Sequence, residues 1–293
     1  MITQRTGVCT TDFEHVNMPL YTADALFARM DELGFGAVQF AFSSISETDF
    51  IPSGQIEIPD QIPYRAVVAA DRAANRYGLP IEVVNGTFNM AHPDAAVRAE
   101  GLRRFGILTK ASAALGAKYI SLCSGSRNAD HLWTWSPNND DGDAWDDMVD
   151  TISRAVELAE RENITLAIES EAANIIDTPE NARKIMDQIG SSHLKMILDC
   201  ANLFHPGQAH PENVHDVLAH AFAVFGNDIV IAHGKDIRES DRIDFCGTGL
   251  GIVDFAYVAD ALRQLQYSGD MFLHGIYAED DMVRAREHWE RCL

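Results

Sequence analysis

The strongest constraint on this chain is a regular alternation. Short β-branched or apolar runs recur along it, and each is followed by a longer stretch whose apolar residues fall at helical spacing. The runs suited to strands cover residues 6–10, 37–42, 81–85, 119–123, 165–169, 195–199, 229–233 and 271–274. The helical stretches have legible ends. One runs over 23–33 and stops at Gly34, and another over 64–77 stops at Gly78; a third opens at Pro93 and closes near Gly116, and a fourth starts at Thr178-Pro179 and ends at Gly190. Further helices are expected over 144–161, 211–225, 255–266 and 282–291. Strand-then-helix order throughout implies parallel strands, because parallel neighbours need a long crossover and a helix is the usual one.

Eight such units within 293 residues, with no linker rich in Pro, Gly or Ser between them, predict one (β/α)8 TIM barrel, a single domain over 1–293. A doubly wound open sheet is the alternative. It would carry a glycine fingerprint after its first strand, where this chain reads Thr10-Thr-Asp-Phe-Glu14. A phosphate loop of the Walker type is also missing. Gly247-Thr-Gly-Leu-Gly251 follows none of the eight runs and reads as a flexible turn.

Charge narrows the partners. With 23 basic and 44 acidic side chains the formal net charge is −21, which repels a phosphate backbone and argues against nucleic acid. No run approaches the roughly 18 apolar residues of a membrane helix, and the opening MITQRTGVCTTDF lacks the apolar core of a signal peptide. Cys9, Cys123, Cys200, Cys246 and Cys292 are scattered, with no CxxC pair, so buried free thiols and a cytoplasmic setting are expected.

In such a barrel the chemistry gathers at the C-terminal ends of the strands. Four consecutive strands end there in a potential metal ligand: Ile164-Thr-Leu-Ala-Ile-Glu169, Leu194-Lys-Met-Ile-Leu-Asp199, Ile229-Val-Ile-Ala-His233 and Met271-Phe-Leu-His274. Alternation turns Ile164, Leu166 and Ile168 toward the helices and Glu169 into the barrel; the same count sets Asp199 opposite Met196 and Leu198 and aligns His233 with Ile229 and Ile231. Each residue alone has an ordinary structural explanation. Their convergence does not, since two buried carboxylates side by side need a cation.

Ala167-Ile-Glu169, Leu198-Asp-Cys-Ala-Asn202, Ala232-His-Gly-Lys-Asp236 and Leu273-His-Gly275 resemble the corresponding strands of the xylose-isomerase-like sugar isomerases and epimerases. The resemblance is strongest over 164–275. Asn85-Gly-Thr-Phe-Asn-Met90 and Leu122-Cys-Ser-Gly-Ser-Arg-Asn128 are similar to segments of bacterial sugar phosphate isomerase/epimerase members. The resemblance implies a metal-dependent isomerase or epimerase acting on a sugar, ketose or cyclitol through an enediolate. Its divalent metal, Mn²⁺ first and Mg²⁺ or Co²⁺ next, is implied on Glu169, Asp199 and His233. His274 stands where the family has a second glutamate, and Asn202 where ketose epimerases have a substrate-binding histidine. Two carboxylates and two imidazoles also suit Fe²⁺ or Zn²⁺.

Glu169 or Glu171 is expected to remove the α-proton; with one glutamate lost, Glu171, two residues past Glu169, is the replacement base unless it is a solvated loop carboxylate. Lys235 is placed near the oxyanion or leaving group, or else pairs with Asp236. Arg127 is positioned to hold a substrate carboxylate or phosphate, or to pair with Asp130 or Asp141. Trp133 and Trp135 are candidates to cover a sugar face or to pin their loop. His92, His131, His205 and His210 are expected as solvated rim residues. A lyase or dehydratase on a keto-sugar or inosose is the alternative activity. An abasic-site endonuclease is disfavoured, since the first four strands end in Thr10, Phe42, Asn85 and Cys123; a sugar-binding barrel without catalysis is the other alternative. By analogy with the family, a homodimer or homotetramer is expected.

Overall fold

The computed structural model describes residues 4–14 and 21–293. Its barrel strands are β1 (Thr6–Cys9), β2 (Ala37–Phe40), β3 (Ile81–Asn85), β4 (Tyr119–Cys123), β5 (Thr165–Glu169), β6 (Leu194–Asp199), β7 (Ile229–Ile237) and β9 (Met271–Leu273). Each pairs in parallel with the next, β7 pairs with both β6 and β9, and β9 returns to β1, which closes the ring. The helices lie outside: α1 (Ala23–Glu32), α2 (Tyr64–Tyr77), α3 (Ala95–Ala114), α4 (Gly142–Arg161), α5 (Pro179–Ile189), α6 (Val214–Phe225), α7 (Phe255–Gln264) and α8 (Glu279–Cys292). The open-sheet alternative is thereby set aside. Among the described residues no helix is long and apolar enough to cross a membrane.

Local chemistry explains the boundaries. The Thr22, Asp94, Thr178 and Asp254 side chains accept from the first backbone N–H groups of α1, α3, α5 and α7, and Gly78 and Gly190 end α2 and α5 in the left-handed conformation. Three strands are shorter than their apolar runs predict, β9 ending at Leu273 rather than at residue 274. The Ala41 N–H bonds to the Thr10 hydroxyl at 2.8 Å rather than continuing the ladder, so β1 and β2 stop before residues 10 and 42. β7 instead runs on to Ile237, where its last three residues pair antiparallel with an added strand, β8 (Phe245–Gly247). Gly247 therefore ends a strand, contrary to the reading of that segment as a strand-free turn. Asp236 draws in the rest of the segment, its carboxylate accepting from the N–H groups of Ile237, Gly249, Gly251 and Val253 at 2.8–3.0 Å.

Two apolar layers follow from strand alternation. Leu166, Ile168, Met196 and Leu198 join the layer between sheet and helices, while Cys9, Ala37, Val83, Ala167, Ile197, Ile231 and Phe272 fill the barrel interior. Ile229 lies in the outer layer, unlike His233, because the β6–β7 register shifts between Met196 and Ile197. Phe272 occupies so much of the barrel's interior that its neighbour must be a glycine: a Cβ on Gly7 would stand 2.6 Å from the ring. Gly7→Ala is therefore expected to lower stability by about 1–3 kcal/mol, as overpacking does. Chemical denaturation measures it, and an unchanged midpoint would show that the ring has room to move.

Candidate metal centre

Counting two residues on from the interior layer reaches the site. Glu169 follows Ala167, Asp199 follows Ile197, and His233 follows Ile231, so all three side chains point up the barrel axis at its C-terminal mouth. They are buried, and one ligand atom from each lies within 4.8 Å of the others. His233 Nδ1 stands 3.3 Å from Glu169 Oε1 and 3.5 Å from Asp199 Oδ2. The other ring nitrogen meets Gln39 Oε1 at 2.9 Å. An amide oxygen only accepts, so it holds the proton on Nε2 and leaves Nδ1 for the cluster.

The carboxylates are oriented as well. Asp199 Oδ1 accepts from the N–H groups of Ala201 and Asn202 at 2.8 and 2.9 Å, the turn that follows β6, while the buried Oδ2 has no hydrogen-bond partner. Glu169 Oε1 accepts from Asn202 Nδ2 at 2.8 Å, and the buried Asn202 Oδ1 is likewise unpartnered. A buried lone oxygen beside a carboxylate and an imidazole fits a divalent cation, for which two oxygens and a nitrogen are a common donor set.

Electrostatics tie the cluster together. Burial alone would raise Asp199, but Lys235, His233 and His274 hold it well below the usual carboxylate range. For His233, burial opposes the charged ring, yet Asp199 and Glu169 outweigh it and push it up to about 9. An unfolded histidine releases its proton near 6.5. The stabilisation from this pair is thus complete below about pH 6.5 and is lost as pH rises through about 9. Thermal unfolding of the metal-free protein should move to lower temperature across that window, and His233→Asn should flatten the trend.

Lys235, two residues past His233 on β7, is buried with its ammonium 3.7 Å from Asp199 Oδ2 and 4.1 Å from the centre of the Phe245 ring. Asp236 is not its partner, being occupied by the backbone clamp described above. Burial would lower Lys235, but Asp199, Glu171 and Glu169 more than offset it and keep the amine charged. Glu171 is buried, not a solvated loop carboxylate. Burial raises it, Lys235 draws it back, and Glu169 and Asp199 raise it again, to about 7.

The remaining candidates are spread around the mouth. His274 lies one residue beyond β9, its ring centre 5.6 Å from that of His233 and its Nδ1 3.1 Å from Asp12 Oδ1. It stands beside the three-residue cluster and is not one of the mutually close ligand atoms. Arg127 pairs with Asp147 at 2.7 Å, rather than with Asp130 or Asp141, and donates to the carbonyls of Ala91 and His92, so its guanidinium ties the loop after β4 to α4. The Trp133 indole N–H donates to Glu57 at 3.0 Å, and Trp135 is 54% exposed. His92 is buried against Ala129 and Asp94, unlike the solvated residue expected.

Sequence reasoning missed Gln39, Asp12 and Glu57. Gln39 was findable, as the polar residue at an inward position of the apolar run Ala37-Val-Gln-Phe40. Glu57 lies in the irregular segment after β2, where no periodicity points. Burial raises its carboxyl although Trp133 and Asn85 donate to it, and it feels the charge of His274 across the mouth.

Solved structures with the same fold include 3-keto-D-glucoside 4-epimerase from E. coli, at 18% identity and a TM-score of 0.71 over 99% of both chains. A D-tagatose 3-epimerase-like protein aligns at 18% identity and 0.74 over 98% of this chain and 96% of its own. The probable 3-DHS dehydratase AsbF from Bacillus anthracis aligns at 13% identity and 0.69 over 98% and 97%. No curated protein matches the chain. Sugar epimerases and a dehydratase thus share the architecture, and the family model for a xylose isomerase-like TIM barrel matches residues 27–292. With a closed parallel barrel whose polar cluster caps strands β5 to β7, the chain belongs to the xylose isomerase-like TIM barrel family.

Proposed function

We propose that this protein is a divalent-metal-dependent isomerase or epimerase of a small sugar, ketose or cyclitol. The observation that carries the reading is the buried Glu169–Asp199–His233 cluster, in which Asp199 Oδ2 accepts no hydrogen bond. Those three residues would hold the metal, Mn²⁺ being the first to test, with His274 the candidate fourth ligand. Bound there, a divalent cation supplies Lewis acidity toward a carbonyl and its neighbouring hydroxyl.

The chain's own groups account for the proton. Glu171 is buried beside the cluster with a carboxyl near neutrality, which suits a base that takes a proton from the carbon next to the carbonyl and returns it. Lys235, held as an ammonium between Asp199 and Phe245, would stabilise the oxyanion that develops as the proton leaves. Asn202 keeps Glu169 oriented through its amide N–H, and its unpartnered Oδ1 is available to a substrate hydroxyl. Trp133 and Trp135, both exposed, are the candidates to cover the apolar face of a sugar with an indole. Arg127 serves this site by fixing its loop to Asp147.

A lyase or dehydratase on a keto-sugar is the second reading, favoured by one feature. The Lys235 ammonium lies within the electrostatic field of Glu171, so an acid for a leaving hydroxyl stands near the base. Incubation of keto-sugars with Mn²⁺ in heavy water separates the two: solvent deuterium in an isomeric product supports isomerisation, and an unsaturated product supports elimination. Full turnover after thorough chelation would sink both. Metal uptake should also release a proton, because His233 Nδ1 must be bare to coordinate. Affinity is then expected to rise by up to about tenfold per pH unit below about pH 9, measured by titration calorimetry.

A further inference from the structure

Asp12 lies in the single turn of 3-10 helix that follows β1, fully buried. Its carboxylate accepts from three donors, all in the segment just after β9. Oδ1 meets His274 Nδ1 at 3.1 Å and the Gly275 N–H at 3.3 Å, and Oδ2 meets the Ile276 N–H at 3.2 Å. Three bonds from one short segment determine both the height and the direction of the His274 ring. The backbone there is special too: Gly275 has a φ of +73°, and a Cβ on it would press within 2.9 Å of the Lys235 stem.

A carboxylate has no hydrogen to give, so the proton between Asp12 and His274 belongs to Nδ1. The lone pair is then on Nε2, across the ring from Asp12. That ring is 28% exposed at the mouth, with its centre 5.6 Å from that of His233. The plan repeats that of His233, whose outer nitrogen is held by Gln39 while the inner one faces Glu169 and Asp199. In one imidazole the outer partner is a neutral amide. In the other it is a buried carboxylate, which makes the imidazole a stronger electron donor.

We propose that Asp12 is a positioning residue that locks His274 in its Nδ1–H tautomer, so that Nε2 is presented to the Glu169–Asp199–His233 cluster as a donor to a divalent cation. The second half rests on the metal reading above; the first does not. Tautomer is read from long-range nitrogen–proton NMR correlations of the metal-free protein, with the His274 signals assigned by their loss in His274→Gln. The Nδ1–H pattern is expected in the wild type, and Asp12→Asn should shift it toward a mixture. Binding of Co²⁺, followed by calorimetry and by its visible absorption, should weaken by about 10- to 100-fold in Asp12→Asn, the range for loss of a residue that orients a ligand.

An Nε2–H pattern in the wild type overturns the proposal, and needs no variant to fold. Unchanged Co²⁺ affinity and spectrum in a folded Asp12→Asn protein overturn the claim that the lock serves a metal. An Nδ1–H pattern in a wild type that takes up no Co²⁺ supports the lock and defeats the metal reading instead.

Discussion

Asp199→Asn is expected to reduce turnover by about 10³-fold or more, the equivalent of the several kcal/mol a catalytic metal supplies. The substitution keeps the side chain's shape, and the amide oxygen can still accept from Ala201 and Asn202, so the turn after β6 should survive. What it removes is the charge on Oδ2, toward which both His233 Nδ1 and Lys235 Nζ are directed. Metal uptake should therefore be lost along with activity. The stability of the metal-free protein should also fall, because the buried Lys235 ammonium loses the first of its counter-charges. Calorimetric metal titration, steady-state assay and thermal unfolding read the three effects separately. A variant that binds Mn²⁺ with wild-type affinity would remove Asp199 from the ligand set.

Glu171→Gln is expected to lower kcat by about 10²- to 10⁴-fold, the range for loss of a general base, while leaving metal affinity near that of the wild type. The pH profile discriminates between a base and a merely structural carboxylate. With its carboxyl raised to about 7 by burial and by Glu169 and Asp199 against the pull of Lys235, Glu171 is protonated and inactive as a base in acid. Wild-type kcat/KM should rise with pH to a plateau above about 7, and the variant's residual activity should lack that limb. A limb that persists in the variant would move the base elsewhere. If the profile flattened and metal binding collapsed with it, Glu171 would belong to the cluster.

Much of this was legible in the linear chain because two periodicities are local. The period of two in Thr165–Glu169 decides that Glu169 and Ala167 share a face, and a glycine after a helical run decides where α2 and α5 end. Such features need only neighbours in sequence, and they carried the barrel and the gathering of Glu169, Asp199 and His233 at one rim. The failures came where a distant group intervened. β7 overran its predicted end because β8 was there to pair with it, and β1 and β2 stopped early because the Thr10 hydroxyl took an N–H from Ala41.

Ion-pair partners failed for the same reason. Nearness in sequence suggested Asp236 for Lys235 and Asp130 or Asp141 for Arg127. The fold instead placed Asp199 and Asp147 there: adjacent residues of β7 face opposite ways, which parts Lys235 from Asp236 and turns it toward Asp199 on the next strand, and Asp147 reaches Arg127 from α4. The alternating pattern of apolar residues thus determined by itself that a closed parallel barrel would form and that Glu169, Asp199 and His233 would meet at one rim. Only the tertiary structure decided that Glu171 is buried and poised near neutrality, that Gln39 turns His233 and that Asp12 holds His274. Burial and hydrogen bonding across tens to hundreds of residues set those properties, and the spacing of one segment does not identify the distant partner.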